Sequence, residues 1–261
     1  MRTTCRVRLF GIFLCAAVFQ IIIAVVFTML RRPEDNKIPT GSIPDVPYDK
    51  AEVVIVVAGY LFDTSWVRRY LPEYSHVVYT KLDLASKYNV PHNKGKEAHI
   101  YLKFIIDHYH NLPNHTIFLH GHGSESWHDT RLYRTIKNLD YNEEYKNLNW
   151  HHHYDLERDW KDEYEKTRDH WPEVFVKYGI PFPERICYYC CAQFMVSKEA
   201  ILRRPFNFYK EYYDWMADTQ VDDYYTSRIS EYTWHMVFGQ DPVQKRIKWS
   251  QYFDNLLSGW W

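Results

Sequence analysis

The sequence lacks several patterns by which large classes of protein are identified. It has no P-loop, no glycine-rich dinucleotide fingerprint, no Ser/His/Asp motif and no internal repeat. These absences argue against the most familiar nucleotide-binding and serine hydrolase sites. An excess of charge of one sign is also missing, because 32 Lys and Arg face 33 Asp and Glu, mixed along the chain. Nucleic acid binding needs a basic surface, so no nucleic acid partner is expected.

Aromatic residues, in contrast, are abundant. They make up 18% of the 261 residues, with 23 Tyr and 10 Trp. Rings with a polar tip suit carbohydrate faces and wet grooves as well as cores, although for any single ring core packing is the simpler explanation. The length allows one α/β domain with a sizeable core.

One apolar run predicts a membrane anchor. Residues 9–30 carry no charged side chain, and a helix of about 20 residues crosses a hydrocarbon layer of ~30 Å. The predicted organisation is therefore a tail (1–8), a transmembrane signal anchor (9–30), a stem (31–50), the α/β domain (51–239) and a C-terminal tail (240–261).

The predicted topology is single-pass type II, with the domain facing the lumen of the Golgi or endoplasmic reticulum. Basic residues flank the run on both sides, so the preference rests on the short tail and the large following domain. The partner of the anchor would be membrane lipid. The sequon at Asn114 is modified only in a lumenal domain, and it therefore provides a test of topology.

Three of the five cysteines fall in the domain. Cys187 and Cys190 have the spacing of a redox motif, and Cys191 follows directly. They lie in the apolar run CYYCCAQFMV, which favours a buried strand in which cysteine is a small hydrophobic residue.

The first half of the domain predicts alternating strands and helices. Strands are expected at residues 53–58, 76–81 and 116–119, with a short helix at 65–71 and a long one capped by Asn93 and closed before Pro113. This order predicts a three-layer α/β fold whose mostly parallel sheet has a Rossmann-like N-terminal half.

The second half is less regular. Residues 124–139 predict a helix, and 142–171 a charged surface excursion. A buried strand is expected at 186–196, a helix capped by Ser197 at 198–202, and further helices at 206–216 and 225–238.

Ligands in open α/β sheets bind beyond the carboxyl ends of the strands. Gly59 and Gly121 follow two of these strands, and the segment Asn93, Lys94, Gly95, Lys96 and Glu97 opens the long helix. The free N–H groups of that helix start and its two lysines suit a diphosphate. The alternative is an ordinary capped helix with a solvated first turn.

Two further groups of residues suit chemistry. His120 and His122 alternate on an extended stretch, so both rings can share a cation, to which His128 and Asp129 could add ligands, or they can serve as ordinary hydrogen-bonding groups. Asp223, Glu231 and His235 offer a carboxylate assisted by a histidine, as general base catalysis requires, or only the caps and solvated groups of a surface helix.

Three segments carry a family resemblance: NKGKEAHIYLKFIIDHYHNLPNHTIFLHGHG, CCAQFMVSKEAILRRPFNFYKEYYDW and SEYTWHMVFG. They resemble the eukaryotic, largely fungal family called domain of unknown function 3431. The layout is also similar to the glycosyltransferase A fold, in which a strand ends in an Asp-x-Asp pair that holds a metal and a sugar nucleotide. Here His120-Gly121-His122 stands in that place, and imidazole suits zinc or manganese. Metal-free stabilisation of the diphosphate by Lys94, Lys96 or an arginine is the competing possibility.

The sequence thus leaves three hypotheses. The first is a membrane-anchored glycosyltransferase-like enzyme that transfers a sugar from a nucleotide sugar to a hydroxyl of a glycan or protein. The second is a non-catalytic lumenal module that binds glycans or a protein. The third is a metallohydrolase at His120 and His122, which requires a third metal ligand.

Overall fold

The computed structural model of the protein describes residues 50–122, 132–149 and 152–247. The predicted tail, anchor and most of the stem lie outside these ranges, and so does the end of the C-terminal tail. No helix within the described ranges combines the length and the apolar character that a membrane span requires.

The centre of the molecule is a six-stranded, mostly parallel sheet. Eight strands are present in the described ranges: β1 (Val53–Ala58), β2 (Ser75–Lys81), β3 (Asn89–Val90), β4 (His115–His120), β5 (Tyr145–Asn147), β6 (His153–Asp155), β7 (Cys187–Tyr189) and β8 (Phe194–Ser197). The sheet has the order β3-β2-β1-β4-β8-β5, and β6 pairs with β7 separately. Strands β3, β2, β1 and β4 are parallel, whereas β8 runs antiparallel to β4 and β5. The predicted mixed α/β fold with a mostly parallel sheet is confirmed.

Helices pack on both faces of the sheet. The α-helices of the described ranges are α1 (Ser65–Tyr70), α2 (Lys96–His108), α3 (Leu132–Lys137), α4 (Leu156–Asp159), α5 (Lys161–Val174), α6 (Lys198–Leu202), α7 (Phe206–Asp218) and α8 (Asp223–Val237). In β1, Val54 and Val56 join the apolar cluster that contains α2, α7 and α8. Ile55 and Val57 join the cluster on the other face with α1 and α3. An uninterrupted apolar strand is the pattern required when both faces are covered.

The long helix α2 does not begin with Asn93 as its cap, as the sequence predicted. Its N-cap is Gly95, in the left-handed conformation with φ +63°. A Cβ at Gly95 would come 1.8 Å from Met216 Sδ, so the turn before α2 fits closely against α7. The Gly95 N–H donates to the carboxylate of Asp223 at the start of α8, which ties the two helices together.

Two other predictions for the second half were wrong. Residues 186–196 form two strands instead of one, because a turn with positive φ at Cys191 and Ala192 separates β7 from β8. The predicted surface excursion at 142–171 contains β5, β6, α4 and most of α5, and its Leu148 and Trp171 are buried. Of the helix predicted at 124–139, the structure describes Leu132–Lys137.

Candidate functional site

A cavity of about 720 Å³ lies beyond the carboxyl ends of β1, β2 and β4. The last residues of these strands, Ala58, Lys81 and His120, all line it. From β1 the chain adds β2 and then β3 on one side, and it returns to add β4 on the other side of β1. The boundary between β1 and β4 is therefore the topological switch point. Open α/β sheets bind their ligands at this position.

Gly121 shapes the cavity next to this boundary. A Cβ at Gly121 would lie 2.4 Å from the carbonyl oxygen of Ala58, so no larger residue fits between the ends of β1 and β4. The Gly121 carbonyl also accepts a hydrogen bond of 2.7 Å from Trp66 Nε1. The backbone at the switch point is therefore held close and fixed.

His120 and His122 face each other at the end of β4. His120 Nδ1 and His122 Nε2 are 3.2 Å apart, which is close to the spacing of two ligands that each lie about 2.0–2.1 Å from a tetrahedral ion. Burial, with His122 and Lys96 nearby, lowers the pKa of His120 to about 3, so this ring is neutral. The separation is that of a hydrogen bond between the two rings and would also suit two ligands of one metal ion.

A third ligand for such an ion is not assembled within the described residues. The group of three potential ligand side chains found there, Cys190, Cys191 and Glu231, includes neither histidine, and its two sulfurs are bonded to each other in a disulfide. His128 and Asp129, the other candidates that the sequence offers, lie outside the described residues.

Two carboxylates lie in the cavity wall, Glu97 at the start of α2 and Glu231 in α8. Glu231 accepts hydrogen bonds from the Cys191 N–H at 2.9 Å and from Arg228 Nη1 at 2.7 Å. Burial raises the pKa of Glu231, an effect that Arg228 and the Cys191 N–H oppose and that Glu97 strengthens. Burial also raises the pKa of Glu97. Carboxyl groups with raised pKa values are typical of general acids and bases.

Three cationic side chains line the same cavity: Lys81, Lys96 and Arg228. Burial lowers the pKa of Lys81 to about 8, against the attraction of Asp223 and Glu97. Arg228 remains charged, because Glu231 and other neighbours raise its pKa by more than burial lowers it. Its buried Nε has no hydrogen-bond partner among the described residues, which leaves a donor for a ligand.

One side of the cavity is an aromatic wall, formed by Tyr154, Trp160, Tyr188, Tyr224 and Tyr232. The ring of Tyr188 lies 4.7 Å from that of Tyr232 and 5.9 Å from that of Tyr154, which in turn lies 5.9 Å from Trp160. Trp160 and Tyr224 keep 42% and 41% of their surface exposed, so the wall is accessible from solvent.

The cavity brings together seven of the residues that the sequence singled out: Asn93, Lys96, Glu97, His120, Gly121, His122 and Glu231. The strand ends, the start of the long helix and the last helix therefore all contribute to one cavity. Exposed Asn114, which begins the sequon, immediately precedes β4 and donates to Glu52.

Five predicted site residues are not among those that line the cavity. Lys94 Nζ donates to the Thr219 carbonyl at 2.9 Å, and the Gly95 N–H donates to the Asp223 carboxylate. His235 Nε2 lies 3.2 Å from the Pro242 carbonyl oxygen, and burial lowers the pKa of His235 to about 4. Gly59 packs against Val78.

Several lining residues were missed from the sequence. Lys81 was placed only as the end of a strand, and Arg228 was not considered, although it stands three residues before Glu231 on the same helix face. The aromatic wall has no sequence signal, because its rings come from separate elements. The cysteines were interpreted as buried apolar residues, but Cys190 and Cys191 form a disulfide and only Cys187 is free in the described ranges.

Comparison with known proteins agrees with the family resemblance. The model of the family described as "Protein of unknown function (DUF3431)" matches residues 54–254, which is most of the chain. No curated protein and no solved structure matches the chain.

Proposed function

We propose that this chain, which belongs to the DUF3431 family, is a glycosyltransferase that moves a sugar from a nucleotide sugar to a hydroxyl acceptor. One observation carries the proposal: a single cavity at the switch point of the sheet combines three cations, a buried carboxylate with a raised pKa and an aromatic wall. The cations would suit a diphosphate leaving group, the carboxylate an acceptor hydroxyl, and the aromatic wall a sugar ring.

The donor diphosphate would be held by Lys81, Lys96 and Arg228. Their charges offset the negative charge that develops on the diphosphate as the bond to the sugar breaks. Asn93 and Tyr60 line the cavity and would contact the nucleoside; Asn93 Nδ2 donates to the Tyr60 hydroxyl at 3.4 Å. A zinc or manganese ion bound by His120 and His122 would add positive charge next to the same group.

Glu231 is the proposed general base. The acceptor oxygen would attack the anomeric carbon, its proton would pass to Glu231, and the bond from that carbon to the diphosphate oxygen would break. The bonds from Arg228 and the Cys191 N–H fix the orientation of the carboxylate. Asp223, the other carboxylate that the sequence suggested, is already bonded to Gly95 and is not proposed for this role.

The layout of the fold supports the same proposal. As in the glycosyltransferase A fold, to which the layout predicted from the sequence is similar, an apolar strand, β4, ends at the cavity, and a later helix, α8, supplies a carboxylate. The chain differs from that fold in having His120-Gly121-His122 in place of an Asp-x-Asp pair. The proposed setting is a type II membrane protein whose domain faces the Golgi or endoplasmic reticulum lumen.

A non-catalytic glycan-binding module is the second candidate, and the accessible aromatic wall favours it. Binding alone, however, would not require titratable groups with shifted pKa values. The cavity contains Lys81, Glu97, His120 and Glu231, all of which are shifted by burial. Such shifts cluster at catalytic sites, and they favour the enzyme.

A thermal-shift panel on the full-length protein tests the proposal. A nucleotide sugar at a hundred times its dissociation constant should add about 2.7 kcal/mol to the free energy of unfolding. The panel would contain uridine, guanosine and cytidine diphosphate or monophosphate sugars, with free glycans as a separate series. Stabilisation by a nucleotide sugar supports the transferase, whereas stabilisation by glycans alone supports the binding module.

A further inference from the structure

The wall of the cavity contains a disulfide between adjacent residues, Cys190 and Cys191, whose Cα atoms are 3.7 Å apart. Cys190 is buried and Cys191 is partly exposed. The third cysteine of the domain, Cys187, is buried as a free thiol and is not among the lining residues. The bond therefore lies where a ligand or a reagent in the cavity can reach it.

This disulfide cannot act as an ordinary staple of the fold. A disulfide stabilises a protein mainly by closing a loop in the unfolded chain, and the effect grows with the number of residues in the loop. No residue lies between Cys190 and Cys191, so the bond restricts the unfolded chain very little. Its effect must be local.

The local effect is visible in the backbone. Cys191 and Ala192 have φ values of +76° and +44°, a conformation that is unfavourable for residues with a Cβ. The turn directs the Cys191 N–H at Glu231 Oε1, 2.9 Å away. The residue before the turn is held in place twice: the Cys190 N–H donates to the His152 carbonyl at 2.9 Å, and the Cys190 carbonyl accepts from Asn149 Nδ2.

We propose that the Cys190–Cys191 pair is a reversible redox modification site, opened by a dithiol reductant, whose state sets the position of the Glu231 carboxylate. The closed form holds the Cys191 N–H against Glu231. In the open form Cys191 is free to leave the left-handed conformation, and its N–H then leaves Glu231. An effect of this switch on sugar transfer, for which Glu231 is the proposed base, rests on the proposed function, whereas the redox site itself does not.

The exchange reaction is balanced. A thiolate of the reductant attacks the partly exposed Cys191 Sγ, the bond between the two sulfurs breaks, and Cys190 leaves as a thiolate. The second thiol of the reductant then attacks the mixed disulfide and releases Cys191. Two electrons pass to the protein, which gains two thiols after proton uptake, and the reductant becomes a cyclic disulfide.

The test uses the full-length protein with and without dithiothreitol under native conditions. Alkylation followed by mass spectrometry should show two newly reactive thiols, at positions 190 and 191, with the melting transition retained. Amide hydrogen exchange at Cys191 should become at least tenfold faster, and reoxidation should reverse the change. The Cys187→Ala variant is the control, because it should behave as the wild type does.

Three results would overturn the proposal. They are resistance of the pair to reduction until the chain unfolds, melting of the fold when the pair is reduced, and an exchange rate of the Cys191 amide that is the same in both states. A variant with both Cys190→Ser and Cys191→Ser gives a second check. Its amide at position 191 should exchange at the same rate as the Cys191 amide of the reduced wild type. None of these readouts requires a sugar nucleotide, so the redox site can stand even if the proposed transferase function fails.

Discussion

At the scale of single residues, Glu231 is the side chain on which turnover should depend most. Replacing it by Gln keeps the shape and removes the base, so we expect kcat/KM for transfer to fall at least about 100-fold. Donor affinity should change little, because Glu231 would act on the acceptor. Steady-state kinetics together with donor titration measure the two effects.

Glu165→Gln is the matched control for this substitution. Glu165 is exposed on α5 and does not line the cavity, so its variant should retain wild-type kinetics. Equal activity of Glu231→Gln and wild type would remove Glu231 from the mechanism.

Lys81 gives a pH dependence. Its pKa is lowered to about 8 by burial, so it is charged below that pH and loses its proton as the pH rises through it. A charge-assisted hydrogen bond to the diphosphate should then be lost, and donor affinity should weaken by up to about tenfold between about pH 7 and about pH 9. Calorimetric titration at several pH values measures it.

Lys81→Arg separates this effect from other titrations. Arginine stays protonated over the whole range, so the variant should bind the donor with an affinity that is nearly independent of pH. If the wild type and Lys81→Arg weaken in parallel, Lys81 is not the group responsible.

At the scale of elements, the turn before α2 should be sensitive to any added side chain. Gly95→Ala places a Cβ 1.8 Å from Met216 Sδ in a left-handed backbone, so we expect a loss of about 2–4 kcal/mol in the free energy of unfolding. Gly179→Ala has a similar φ of +73° and nothing within 4 Å of the new Cβ, and it should cost about 1 kcal/mol. Urea denaturation distinguishes the two, and equal losses would contradict the close packing of Gly95.

The elements also show what could be predicted from sequence. β1 is a continuous apolar run, β4 has the apolar centre Ile117 to Leu119, and Gly239 follows the end of α8, so local patterns identify these elements. β5 and β6 have three residues each, too few for a period, and their pairing with β8 and β7 is set by tertiary contacts. The apolar run at 186–196 looked like one strand, because nothing in its composition marks the turn at Cys191 and Ala192.

The site could be predicted only in part, for a related reason. His120, Lys96 and Glu231 were found because they follow strands or lie on a periodic helix. Lys94 and Lys96 are equivalent in the sequence, but the backbone between them is left-handed at Gly95 and Lys96, and Lys96 lines the cavity while Lys94 bonds to Thr219. Choices of this kind depend on backbone geometry that a spacing rule does not contain.

At the scale of the whole molecule, the topology prediction has a direct test. Asn114 is exposed at the start of β4 and Thr116, the third residue of its sequon, follows within the strand. If the domain is lumenal, Asn114 should carry a glycan that a glycosidase removes with a shift in mobility. Asn114→Gln should abolish the shift, and an unmodified Asn114 in a secretory host would count against a lumenal domain.

The central claim is that the cavity at the carboxyl edge of the sheet binds the diphosphate of a nucleotide sugar. The most direct measurement is calorimetric titration of the donor into wild type, Lys96→Met and Lys94→Met. Each variant removes one positive charge, and the two lysines are separated only by Gly95. We expect donor affinity to fall about tenfold or more in Lys96→Met and to stay within about twofold in Lys94→Met. Equal affinities in all three proteins, or no binding of any nucleotide sugar, would contradict the account.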